Sequence, residues 1–296
     1  MNLLVTGAWQ QAADYIEQLR KEHEVVFMQW ENKDLPCEYE WVEGIIGNGI
    51  FLSHQIDKFK NLRYIQLTSA GYDRVPLDYI KEHHIEIHNA RGVYSIPMAE
   101  FAITGVLQLY KQMRFFQENQ KAHRWIKRRD LLELNEKTVC IVGCGSVGTE
   151  CAKRFSSFGC YVVGIDLYPK ENQYYEKMLS LNALDDVLTQ ADIVVLTVPL
   201  TEETHYLMNN SRLKKLQEGA ILVNIARGAV VDIEALTVYL DKLGGVVLDV
   251  FEEEPLSEES ELWNRENVIV TPHNSFVGEK NQKRLQKIIM ENLKGK

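Results

Sequence analysis

Residues 138–148 read TVCIVGCGSVG, and this stretch decides the fold. The apolar run TVCIVG leads directly into G-x-G-x-x-G, formed by Gly143, Gly145 and Gly148. A nearly continuous apolar run ending in glycine reads as a buried strand entering a sharp turn. The helix-like SVGTECAKRFSSFG follows, and the next apolar run, YVVGID, ends in Asp166. A lone glycine signature is weak, but strand, turn, helix and an acidic strand end about 20 residues on supply the context it needs. Gly143 permits the tight turn, Gly145 admits a pyrophosphate to the backbone, and Gly148 lets helix and strand pack closely. The candidate residues of this turn are Gly143, Gly145, Ser146, Val147 and Gly148. The free N–H groups and the dipole at the helix start favour an anion. Asp166 can accept from both hydroxyls of an adenosine ribose and would repel a 2′-phosphate, so NAD is the expected cofactor. A glycine turn without a ligand is the bland alternative. Cys144, inside the turn, reads as a small tolerated residue in preference to a redox sensor.

Working outward, the same alternation of strand and helix recurs in both directions. Downstream lie IVVLTVP, AILVNIA, GVVLDV and NVIVTP; upstream lie NLLVTG, EVVFMQ, GIIG, YIQLTSAGYD and the short run Ile85–His88. Ala12–Glu22, the vicinity of Ile56–Phe59, and Glu279–Leu293 read as helices. This pattern predicts an α/β protein with parallel sheets covered on both faces. One long helix is expected from Pro97 to about Gln117, apolar around much of its circumference and therefore buried, either between domains or subunits or in a core.

The bulk properties narrow the function class. A chain of 296 residues accommodates two domains. A net charge of −9 argues against a general phosphate-backbone binder. The basic run Lys121–Arg129 is read as a solvated helix face or interdomain surface, not a nucleic-acid site. No targeting segment or membrane-spanning run is visible. Five cysteines without CxxC spacing fit a reducing cytoplasm, with no metal site expected.

Residues 223–274 hold the second chemical signal: VNIARG, LDVFEEEP and TPHN. They place Arg227, Glu254 and His273 after apolar strands. An arginine can grip a carboxylate with two parallel hydrogen bonds. A histidine can transfer a proton near neutral pH, and a glutamate can hold it. Singly, each has a bland reading: a surface arginine, a solvated charge run at Glu252–Glu254, a structural histidine. Together with the glycine turn they describe a site for a 2-oxo or 2-hydroxy acid.

The chain resembles the D-isomer-specific 2-hydroxyacid dehydrogenases, which include phosphoglycerate dehydrogenases, glyoxylate/hydroxypyruvate reductases and D-lactate dehydrogenases. The resemblance rests on TSAGYDRVP (68–76), NARGVYSIPMAEFA (89–102), KTVCIVGCGSVG (137–148), TVPLTEETHYL (197–207), VNIARGAVVD (223–232), LDVFEEEP (248–255) and TPHN (271–274). It implies a Rossmann NAD-binding domain at 97–275 inserted into a flavodoxin-like substrate domain at 1–96 and 276–296, with a cleft between them and a homodimeric assembly.

It further implies Arg227 as the substrate-binding arginine, His273 as the acid/base and Glu254 as its partner. Asp249 corresponds to a contact to the nicotinamide carboxamide. Val198, Pro199 and Thr204 match a cofactor-lining loop, and Ile225 and Ala226 extend the cofactor set beside Arg227 and His273. Ser69, Ala70 and Gly71 match a loop whose N–H groups receive the substrate carboxylate. Formate dehydrogenases would carry glutamine in place of Glu254. The implied reaction passes a hydride between NADH and the substrate C2 carbonyl carbon while His273 exchanges a proton with the oxygen. Two other readings are a phosphoglycerate dehydrogenase, with Arg74 and Arg91 meeting a phosphate, and an NAD(H)-sensing binding protein. None of the three site residues reads the group attached to C2.

Overall fold

The computed structural model describes residues 1–7 and 13–296. The chain divides into two compact units, Met1–Tyr94 with Gly278–Lys296, and Ser95–Val277.

The first unit is built on strands β1 (Asn2–Thr6), β2 (Glu24–Met28), β3 (Gly44–Gly47), β4 (Tyr64–Leu67) and β5 (Glu86–His88). All pair in parallel in the order β2-β1-β3-β4-β5, the flavodoxin-like order. Residues alternate between faces with period two. Leu3, Val5 and Ile46 therefore join one core, with Leu285, Ile289 and Leu293 of the closing helix. Leu4, Ile45 and Ile65 join the other, with Phe59 and Ile80. Helix α1 spans Ala13–Leu19 and α2 spans Leu77–Glu82; Ala12, expected to open α1, lies outside the described residues. At 56–58 the chain makes only a single 3₁₀ turn.

The second unit begins with α3 (Ser95–Tyr110) and α4 (Met113–Lys121). Its sheet comprises β6 (Thr138–Val142), β7 (Tyr161–Asp166), β8 (Lys177–Ser180), β9 (Ile193–Leu196), β10 (Ile221–Asn224), β11 (Gly245–Leu248) and β12 (Val268–Val270). Helices α5 (Ser146–Ser157), α6 (Leu184–Leu188), α7 (Asn210–Lys215) and α8 (Ile233–Tyr239) are interleaved with these strands, and α9 (Asn281–Leu293) closes the first unit. The seven strands are parallel, in the order β12-β11-β10-β9-β6-β7-β8.

Alternation again supplies a core on each face. Ile141, Val195 and Val223 pack with Ala102, Val106 and Phe155, while Val142, Val194, Leu222 and Val246 pack with Leu188, Leu213 and Leu236. Each such aliphatic side chain contributes about 1.5–3 kcal/mol by leaving water. Strand order reverses between β6 and β9. At such a switch point the carboxyl ends of neighbouring strands diverge and leave a crevice for a ligand.

Two expectations need correction. The helix expected over 97–117 is two helices. Gln112 adopts a left-handed conformation (φ 50), and its amide closes back on the Leu109 carbonyl at 3.0 Å, ending α3. The buried side of α3 serves the core of its own unit, because Ala99, Ala102, Val106 and Leu109 pack with Val139, Ile141, Val223 and Val247. Beyond Lys121 the basic run is not a helix face but an exposed irregular stretch, in which Arg128 pairs with Asp130 at 2.9 Å. Strand β8 was not anticipated; its sequence, KMLS, sits at the sheet edge and has no apolar run.

Candidate active site

Strand β6 delivers Gly143 to the switch point in a left-handed turn (φ 93), held by its N–H to the Ile165 carbonyl at 2.8 Å. The turn is too close-packed for a side chain at Gly148: a β-carbon there would lie 2.1 Å from the Gly143 oxygen. Gly145 stands immediately before α5 with an extended backbone, so Ser146 and Val147 open the helix where N–H groups lack intrahelical partners. Thr197, just after β9, braces the turn by donating its hydroxyl to the Gly143 carbonyl.

Asp166 ends β7 and faces this turn. One carboxylate oxygen accepts the Cys144 N–H at 2.8 Å and the other accepts the Tyr168 N–H at 2.9 Å. Each oxygen retains a lone pair for a further donor. The carboxylate is thus pinned against the glycine turn. The glycine cradle, the helix start and this pinned anion together fit a nicotinamide dinucleotide. Cys144 is a poor nucleophile here: burial, with the nearby Asp166 charge, pushes its thiol up to about 12, against the lowering effect of hydrogen bonding by Tyr175 and the Ile165 backbone.

Of the loop expected to line the cofactor, Val198 is half-buried and Pro199 exposed. The buried Thr204 hydroxyl organises the loop itself, donating to Pro199 O at 2.6 Å and accepting the Thr201 N–H at 2.7 Å.

The second constellation comes from three neighbouring parallel strands, β10, β11 and β12, whose carboxyl ends lie on one edge of the sheet. After β10, fully buried Asn224 folds the next turn: its amide donates to Arg227 O at 2.9 Å and its oxygen accepts the Ala226 N–H at 3.1 Å. Ile225 and Ala226 are buried beneath. Arg227 leaves the turn extended and half-buried, with Nη1 bonded to Ala226 O at 2.8 Å.

After β12, His273 adopts a left-handed backbone (φ 50), a conformation that costs a non-glycine residue about 1 kcal/mol or more. Asp249, at the end of β11 and fully buried, enforces it. Its carbonyl accepts the His273 N–H at 2.7 Å. Its carboxylate accepts the Thr271 hydroxyl at 2.7 Å and the N–H groups of Asn274 and Ser275 at 2.8 and 2.9 Å. Asp249 therefore holds the histidine turn.

Glu254 completes the set. Its Oε2 lies 2.9 Å from His273 Nδ1, and its Oε1 accepts the Phe251 N–H at 3.0 Å. Desolvation opposes ionisation of this carboxyl. Hydrogen bonds from His273 and Phe251, with the charges of His273 and Arg227, outweigh it and hold Glu254 below the usual glutamate range. Phe276 meets the His273 ring edge-on, at 6.0 Å between centroids.

In the first unit, the Ser69–Gly71 loop follows β4. Its carbonyls are engaged: Ser69 O by the Ala90 N–H at 2.8 Å, Ala70 O by the Asn89 amide at 2.7 Å, and Gly71 O by the Ser69 hydroxyl at 3.1 Å. Sequence reasoning missed Asn224, Thr197 and Thr271. The available signal was a polar residue ending or following an apolar strand, as in ILVN, IVVLT and VIVT.

Residues 103–275 match the family model described as D-isomer specific 2-hydroxyacid dehydrogenase, NAD binding domain. The chain is 35% identical over 276 residues to a glyoxylate reductase of Pyrococcus horikoshii, covering 87% of this chain and 82% of the relative. It is 32% identical over 242 residues to an (S)-sulfolactate dehydrogenase of Chromohalobacter salexigens, covering 80% and 78%. The crystal structure of the Aquifex aeolicus D-lactate dehydrogenase complexed with NAD and lactic acid superimposes with a TM-score of 0.82 at 26% identity, covering 99% of this chain and 94% of that one.

Proposed function

The chain belongs to the D-isomer specific 2-hydroxyacid dehydrogenase family, and from that premise we propose that Arg227, Glu254 and His273 are its working residues in the interconversion of a 2-oxo acid and a D-2-hydroxy acid. The observation that carries the proposal is the His273 Nδ1–Glu254 Oε2 hydrogen bond on the strand edge that also presents Arg227. A carboxylate on Nδ1 fixes the ring and leaves Nε2 to exchange a proton with substrate.

When bound, the nicotinamide supplies or takes up the hydride. The glycine turn, Ser146 and Val147 would hold its pyrophosphate, and Asp166 its adenosine ribose. The pinned Asp166 carboxylate favours NAD over NADP, because a 2′-phosphate would meet a fixed anion. Arg227 grips the substrate carboxylate and polarises the C2 carbonyl. Protonated His273 gives its proton to the developing alkoxide, and in oxidation neutral His273 takes it back. Glu254 stabilises the charged imidazole in both directions. Ser69–Gly71, whose carbonyls are engaged within the first unit, is a proposed source of N–H donors to a carboxylate.

The test is NADH consumption with a panel of 2-oxo acids: glyoxylate, hydroxypyruvate, pyruvate, a branched 2-oxo acid and 3-phosphohydroxypyruvate. Turnover with D-configured product supports the reading. Turnover confined to the phosphorylated compound selects the phosphoglycerate branch, where Arg74 and Arg91 become relevant. Tight NADH binding with no turnover favours an NAD(H) sensor. The same reading includes a homodimer, supported by the exposed apolar side chains of Trp125 and Ile126 between α4 and β6, and sedimentation of the purified protein tests it.

A further inference from the structure

The Glu254–His273 pair depends on a loop, Phe251–Glu254, that is held from outside by two residues of the adjoining segments. Gly228 directly follows Arg227. A β-carbon on it would lie 1.9 Å from the Phe251 carbonyl carbon, 2.2 Å from Glu252 N and 2.2 Å from Phe251 O. These are backbone atoms, so a side chain here cannot be relieved by rotating a neighbour. The contact brings the Arg227 segment against the very peptide whose preceding N–H, that of Phe251, holds Glu254 Oε1.

On the other side stands Tyr206, in a left-handed conformation (φ 47). Its N–H donates to Ala229 O at 2.7 Å, and Met208 N–H donates to Val230 O at 3.0 Å. Its hydroxyl reaches across to Glu252 Oε2 at 2.8 Å. Three segments, 206–208, 227–231 and 251–254, are thus interlocked by a missing side chain and a tyrosine strap.

We propose that Gly228 and Tyr206 are positioning residues which clamp the Phe251–Glu254 loop and thereby set the Glu254–His273 pair. The inference rests on the acid/base reading of that pair. Displacing the Phe251–Glu252 peptide carries the Phe251 N–H away from Glu254 and draws its carboxylate off His273. Removing the tyrosine hydroxyl frees Glu252 and loosens the same loop. The charged groups around the pair are Glu254, Arg227, Glu252 and buried Asp249, while Asp232 and Glu234 bear on Tyr206.

The experiment compares pH profiles of NADH-dependent reduction for wild type, Glu254→Gln, Gly228→Ala and Tyr206→Phe, using the 2-oxo acid that wild type reduces fastest. Glu254→Gln should move the alkaline fall in rate to lower pH, because the proton-donating form of the pair loses the carboxylate that favours its charge. Gly228→Ala should move it the same way and lower kcat by about 10²-fold, the worth of a misplacement near 1 Å. Tyr206→Phe, a change at an exposed side chain, should give a smaller shift in the same direction. NADH affinity should be retained in all three, since the glycine turn is untouched. If Glu254→Gln leaves the profile unmoved, the acid/base reading itself fails. If Glu254→Gln moves it while Gly228→Ala and Tyr206→Phe keep the wild-type profile, only the clamp is overturned. Should Gly228→Ala not yield folded protein, Tyr206→Phe decides alone: a shifted limb supports the clamp and a wild-type limb overturns it.

Discussion

His273 Nδ1 and Glu254 Oε2 are 2.9 Å apart, and the second oxygen of the same carboxylate is held by the Phe251 N–H at 3.0 Å. A carboxylate bonded at both oxygens cannot rotate away from the imidazole without breaking a second hydrogen bond. The pair is therefore held from both carboxylate oxygens.

The first prediction concerns the acid side of the pH profile. Glu254 is held below the usual glutamate range, so its ionised, His-bonded form is present above its ordinary value and lost only as pH falls through the lowered one. Reductase kcat/KM should stay level through the ordinary glutamate range, and Glu254→Gln should remove the remaining acid limb. A limb centred at the ordinary glutamate value in wild type would contradict this.

Arg227→Lys should damage substrate use more than cofactor use. One ammonium cannot reproduce the two parallel bonds of a guanidinium. Steady-state kinetics should show kcat/KM for the 2-oxo acid falling about 10–10²-fold, in keeping with a lost charge-assisted hydrogen bond, with KM for NADH little changed. An equal loss for both ligands would place Arg227 in a structural role.

Asp166→Ala should relax the choice of cofactor. The carboxylate faces the turn through its bonds to the Cys144 and Tyr168 N–H groups, and removing it deletes both the proposed ribose acceptor and the like charge proposed to oppose a 2′-phosphate. The ratio of kcat/KM for NADH to that for NADPH should fall about tenfold or more. An unchanged ratio would show that another group sets the preference.

Asn224→Ala tests the support beneath Arg227. It leaves the buried Ala226 N–H without its acceptor and takes from the Arg227 carbonyl one of two donors, the other being the Val230 N–H, at a cost of about 1–3 kcal/mol. The urea midpoint should drop accordingly, and KM for the 2-oxo acid should rise. An unmoved midpoint would mean that the turn holds without the amide.

Much of this was readable in the chain because parallel strands buried on both faces write themselves as apolar runs. IVVL, ILVN and GVVL are strands for that reason, and the glycine turn announces its helix. Strand β8 escaped notice because an edge strand needs no such run, and KMLS has none. The break between α3 and α4 was hidden because Gln112 is no helix breaker by composition; its left-handed backbone is stabilised by its own amide. Arg227, Glu254 and His273 were visible as residue types at strand ends. The work of Asp249 was not, because it consists of bonds to backbone N–H groups about 25 residues later, which no local pattern encodes. The bonds of the Thr204 hydroxyl to Pro199 and Thr201 within its own loop were not legible either.

His273 is the proposed proton donor and acceptor of the reaction. The most direct measurement is the turnover of His273→Ala with NADH and the best 2-oxo acid, alongside its affinity for NADH. Turnover lower by about 10²–10⁴-fold with NADH binding retained is the predicted result; near-wild-type turnover would contradict it.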